Sequence, residues 1–146
     1  MQSLFFFLKE TLPCKQNTLQ KEHTVPILEI ELVESEATRS LPADLAQSLA
    51  DAAAQVLGAS KGTVWVKIRV IPSIQYAEDH GKPEGVFPAF VTVLKSRVSE
   101  GSELEDEIVR LTHAVASILN RPEANVHIFY QTDGVGRVAF GGKLLR

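Results

Sequence analysis

Between Pro26 and Gln131 the chain writes one three-part pattern twice, and this doubling restricts the possible fold more than any other feature. A short alternating run, an amphipathic helical stretch and a second alternating run extend from Pro26 to Ile71. The same order returns from Ala89 to Gln131, with Leu57 and Val64 recurring 62 residues on as Leu119 and Val126. Each copy reads as a βαβ unit. Such crossovers are right-handed almost without exception, so each helix lies on one face of a parallel strand pair. Two units side by side predict an α/β (α+β) fold, a four-stranded sheet with two helices on one face.

The local signals agree. In Pro26 to Val33, Leu28, Ile30 and Leu32 alternate with Glu29 and Glu31, the mark of a half-buried strand. Proline is tolerated at a strand head because its missing N–H costs the ladder least there. Leu45, Leu49, Ala52, Ala53 and Val56 form a helical stripe, with Ser40 and Pro42 as expected start signals and Gly58 as the stop. In Thr63 to Ile71, Val64, Val66, Ile68 and Val70 share one face, which the helices should cover. Trp65, Lys67 and Arg69 share the other, with Lys67 and Arg69 expected to pair with Glu29 and Glu31. Phe87 to Leu94 reads as a third strand. Ser102 with Glu105 suggests a capping box for a second helix carrying Leu104, Ile108, Leu111, Val115, Ile118 and Leu119. Asn125 to Gln131 is a fourth strand, and a glycine-rich tail follows. The uncovered face, with Trp65, Lys67, Arg69, His127 and Phe129, is too apolar to stay wet and too charged for a core, which predicts burial between subunits.

Composition excludes several classes. The sequence has 146 residues, 45% of them hydrophobic, and a net charge of -3 with no basic stripe, so no nucleic-acid partner is expected. The single cysteine, Cys14, cannot support a disulfide framework and fits a reducing, cytoplasmic setting. His23, His80, His113 and His127 are too dispersed for a metal site, and no cofactor is expected. Gly134-Val135-Gly136 opens no helix after a strand in the dinucleotide-binding manner and reads as a flexible turn. No nucleophile-elbow motif is present. Leu4 to Leu8 is apolar but far shorter than the roughly 20 residues of a membrane span, and it lacks the flanks of a signal peptide. No membrane partner is expected. Residues 1–25 are therefore expected to be a poorly packed N-terminal extension or a mis-assigned start, ahead of a domain at 26–146.

Three segments carry a family resemblance: Pro26-Ile27-Leu28 at a strand head, Lys61 ahead of Val66 to Pro72, and Val126-His127-Ile128-Phe129-Tyr130 before the glycine-rich tail. In this order, on a doubled βαβ pattern, they resemble the tautomerase superfamily. The likeness is strongest to its macrophage migration inhibitory factor and 5-carboxymethyl-2-hydroxymuconate isomerase branches, and it covers Pro26 to Arg146. The resemblance implies a homotrimer around a central channel, with active sites at subunit boundaries. It also implies cofactor-independent keto–enol isomerisation of a small 2-oxo or 2-hydroxy unsaturated carboxylate. The base would be the amine of Pro26. An α-amine titrates at about 7.7–8.0, and apolar surroundings with neighbouring cations lower that value. Such an amine can take a proton from carbon beside a carbonyl and return it elsewhere.

The resemblance further points to Lys61 and Arg97 as partners of the substrate carboxylate and enolate, and to Ser96, His127, Phe129 and Phe140 as pocket walls. Ser96 stands where the inhibitory-factor branch has isoleucine, His127 and Phe129 where it has tyrosine and asparagine, and Phe140 where it has tryptophan, so the polar lining differs. One feature departs more seriously: Val25 acylates Pro26, and an amide nitrogen has essentially no basicity. A GTG codon at Val25, read as methionine at initiation and then removed, would restore the amine in a bacterial source. Lys21-Glu22 permits a purine-rich AAGGAG run before it, and proteolysis ahead of Pro26 is a second route. The alternatives are a non-catalytic trimeric binding protein with Pro26 blocked, or a related dehalogenase or decarboxylase.

Overall fold

The computed structural model describes residues 25–146; the expected extension, apart from Val25, lies outside them. Four strands form one sheet in the order β2-β1-β3-β4: β1 (Ile27–Val33), β2 (Trp65–Ile71), β3 (Ala89–Leu94) and β4 (Val126–Tyr130). β1 and β2 are parallel, as are β3 and β4, and an antiparallel β1/β3 ladder joins the two units. Helices α1 (Leu45–Leu57) and α2 (Gly101–Leu119) pack on one face, as the doubled pattern requires. The core between the layers holds Leu28, Ile30 and Leu32 of β1, Ala89, Val91 and Val93 of β3, and Leu49, Ala53, Leu111 and Val115 of the helices. Burying each leucine there contributes about 1.5–3 kcal/mol.

The other face carries the residues out of phase with the core. Register sets Glu29 against Lys67 and Glu31 against Arg69. Lys67 donates to Glu29, and Arg69 Nη1 lies 3.1 Å from Glu31 Oε1. Trp65, with nearly half its surface exposed, and Phe129 share this face.

The helix ends differ from the expected ones. The segment Glu36–Ser40 is a 3-10 helix, and Asp44 rather than Ser40 precedes α1. Glu100 precedes α2 and no Ser102–Glu105 capping box forms, because Gly101 at φ 57° turns the chain into the helix before Ser102 can cap it. The helix exits repeat between the two units. Gly58 at φ 60° and Asn120 at φ 51° both take the left-handed conformation. The next residue in each case, Ala59 or Arg121, donates its N–H to Ala54 O (3.0 Å) or Ala116 O (2.9 Å). This satisfies a terminal carbonyl that the helix leaves open. No helix among the described residues is long and apolar enough to cross a membrane.

Candidate active site

The heads of β1 and β2 and the end of β3 meet at one edge of the sheet, where Ile27 lies between Trp65 and Leu94. Trp65 N–H donates to Pro26 O at 3.0 Å, which ties the two strand heads together. Pro26 is less than 2% exposed.

The glycine-rich tail closes over this end and is held there by backbone hydrogen bonds rather than left loose. Gly134 N–H donates to Lys95 O (2.8 Å), Val135 N–H to Ser96 O (3.1 Å), Gly136 N–H to Leu145 O (2.8 Å) and Leu145 N–H to Val138 O (2.8 Å). A side chain at position 134 would be crowded, since a Cβ there would stand 3.0 Å from Lys95 O. The tail ends in a small hairpin of β5 (Ala139–Phe140) and β6 (Lys143–Leu144). It sets Phe140 edge-on against Trp65, with ring centroids 5.4 Å apart and planes at 89°.

Together these segments border an open cavity of about 340 Å³ walled by Val25, Trp65, Phe140, Leu144 and Leu145, with Lys143 and Arg146 also lining it. That volume suits a small ligand, and an apolar wall with a few polar groups is the usual make-up of such sites. Val25, the residue that acylates the Pro26 nitrogen, forms part of the wall.

A buried polar cluster stands at the same end of the sheet, on the helix side. Lys95 Nζ lies 2.9 and 2.7 Å from the two carboxylate oxygens of Glu107, and Tyr130 Oη donates to Glu107 Oε1 at 2.7 Å. Lys95 and Glu107 are both buried, so their charges are balanced out of water. Burial and the neighbouring carboxylate push the Tyr130 phenol well above the usual tyrosine range, so it stays a donor. Ser96, beside Lys95, is 2% exposed, and its Oγ has no hydrogen-bond partner among the described residues.

Solved structures with the same architecture span several activities. A wild-type fused 4-OT, an asymmetric trimer, aligns with a TM-score of 0.65 at 20% identity, over 82% of this chain and 96% of its own. The macrophage migration inhibitory factor of Trichinella spiralis aligns at 0.58 and 16% identity, over 81% and 98%. N1, a member of the cis-3-chloroacrylic acid dehalogenase family, aligns at 0.59 and 16%, over 82% and 83%. This chain has the tautomerase fold. No protein-family model and no curated protein matches its sequence.

Within this tautomerase fold the residues singled out from sequence fall into two groups. Pro26, Ser96 and Phe140 gather at the cavity end of the sheet. Arg97 follows Ser96 and is exposed, and Lys61 is exposed in the turn before β2; neither lines the cavity. His127 and Phe129 lie on the open face of β4, separated from β1 by β3, with Phe90 5.7 Å from the His127 ring and 6.4 Å from Phe129. Several cavity residues were not anticipated there, among them Trp65, read only as a face residue, and the tail cations Lys143 and Arg146. Two basic residues in the last four, just after an aromatic, were the available signal. Among the described residues no three His, Cys, Asp or Glu side chains cluster as metal ligands would.

Proposed function

We propose that the chain, once it begins at Pro26, is a cofactor-independent keto–enol tautomerase of a small 2-oxo or 2-hydroxy unsaturated carboxylate. The observation that carries this reading is the position of the Val25–Pro26 bond: Val25 lines an aromatic cavity that Lys143 and Arg146 also line. Loss of residues 1–25 would present a secondary amine to that cavity. The amine takes a proton from the carbon beside the substrate carbonyl, an enolate forms, and the same proton returns to another carbon. Lys143 and Arg146 hold the carboxylate and steady the enolate oxygen, with Lys61 and Arg97 on the flank.

The fold neighbours include trimers, which supports a homotrimer here. In that assembly the open sheet faces are covered, and a neighbour's His127 and Phe129 complete the cavity. The same pocket design is compatible with dehalogenation or decarboxylation, and one fold neighbour belongs to a dehalogenase family. A second reading rests on the sequence as it stands. With Val25 retained the nitrogen is an amide, and the protein is a non-catalytic trimer that binds a ligand or partner.

N-terminal sequencing and intact mass of the protein from its native source separate the two readings, because the tautomerase must start at Pro26. Ketonisation of 2-hydroxymuconate and of phenylpyruvate is then compared between the chain starting at Pro26 and the full chain. A positioned base contributes about 10²–10⁴-fold, so the shorter chain should be faster by that order. Its rate should rise with pH as the amine loses its proton. Equal rates from both chains would show that Pro26 is not the base.

A further inference from the structure

A second cavity, of about 600 Å³, lies at the opposite end of the sheet. Leu32, at the far end of β1 from Pro26, lines it, so it is separate from the cavity beside Val25. Leu41, Phe87, Ile118 and Leu119 give it apolar walls, and half-buried Arg121 lines it at the exit of α2.

Arg121 is held in place by Phe87 O, to which its Nη1 donates. A guanidinium offers five N–H donors, and this bond uses one. No carboxylate among the described residues pairs with it. Glu36, also on the wall, is exposed and makes no ion pair with it. Carbonyls at the end of α2 supply only a partial negative charge. Burial without a counter-ion disfavours the charged form and lowers the Arg121 pKa. A fixed cation with unused donors inside an apolar hollow is complementary to a carboxylate on a greasy body, because the planar fork matches both carboxylate oxygens.

We propose that this cavity binds a small aliphatic or aryl carboxylate, with its carboxylate on Arg121 and its apolar body against Leu41, Phe87, Ile118 and Leu119. The site needs no contribution from Pro26 and stands independently of the tautomerase reading.

Calorimetric titration of the full chain with sodium octanoate, and in parallel with 1-octanol, tests it. Trp65 is the only tryptophan in the sequence and sits in the other cavity, so its emission reports that site separately. Hydrogen bonds to a charged group are worth enough to change affinity by about tenfold or more. Octanoate should therefore bind at least about tenfold more tightly than octanol without changing Trp65 emission, and Arg121→Met should abolish that preference. Arg121→Met also loses the bond to Phe87 O. Ala37→Phe keeps Arg121 and fills the cavity from an exposed wall position, and it should weaken octanoate by a similar factor. The proposal is overturned if octanoate does not bind, if octanol binds as tightly, if both variants bind octanoate unchanged, or if all octanoate binding is seen through Trp65.

Discussion

Leu45 on α1 and Glu107 on α2 stand 62 residues apart at matching positions of the two βαβ units, 5% and 6% exposed. Their neighbours on the buried stripes match as well: Leu49 with Leu111, and Ala53 with Val115. The strands behind them follow suit, for Ile68 in β2 corresponds to Tyr130 in β4. In the first unit this corner is apolar. In the second, the same corner holds Glu107, bonded to Tyr130 and to Lys95. A repeated backbone can thus carry opposite chemistry at one buried site, provided that every charge introduced finds a partner. The polar corner lies at the Pro26 end of the sheet, and Leu45 lines the Arg121 cavity at the other.

Removing one partner from the polar corner should produce the largest effect. Lys95→Met leaves the Glu107 carboxylate buried and unpaired, a loss of about 3–5 kcal/mol in urea unfolding. The triple change Lys95→Met, Glu107→Leu and Tyr130→Phe gives the second unit the apolar character of the first and should recover most of that loss. If the triple variant is as unstable as Lys95→Met alone, the two corners are not equivalent. Next in size are Leu49→Ala and Leu111→Ala. Both side chains are fully buried in one core, so each truncation should cost about 2–5 kcal/mol. Similar costs would support matched packing in the two units; a clear inequality would show that one helix holds the core more tightly.

The doubled pattern made the layers and the parallel pairing within each unit legible, because alternation in β1 and β2 and the helical stripes report which side meets the core; the antiparallel β1/β3 junction left no such signal. The helix starts were not legible. Ser40 and Ser102 have the right side chains for caps, but the backbone conformations of the 3-10 turn and Gly101 decide where each helix begins. Of the residues lining the candidate cavity, Phe140 is singled out from sequence as a pocket wall and the tail cations are not. Pro26 and Phe140 stand out as a strand-head proline and a tail aromatic. Lys143 and Arg146 reach the cavity only because the tail folds back through Gly134, Gly136 and Leu145 onto Lys95 and Val138. Contacts between such distant segments leave no local periodicity to read.

The open face gives the smallest and most discriminating test. Lys67 in the first unit corresponds to Phe129 in the second, so one unit presents an ion pair where the other presents an exposed ring. The hydrogen bond from Lys67, together with the Lys67 and Arg69 charges, holds the Glu29 carboxyl below its ordinary value of 4.5. A lowered carboxylate pKa stabilises the fold fully above that ordinary value, and the contribution is lost as pH falls through the lowered one. The side chains of Lys67 and Glu29 are 65% and 43% exposed in the protomer, so solvent screens the pair and Lys67→Met should cost no more than about 1 kcal/mol at neutral pH. For an isolated protomer, the difference between variant and parent in urea unfolding should vanish in acid and shrink in about 1 M salt, where the screening length is about 3 Å. A face covered by neighbouring subunits would be shielded from that salt. A difference that persists undiminished would therefore place Lys67 and Glu29 inside an assembly, on the same surface as Phe129.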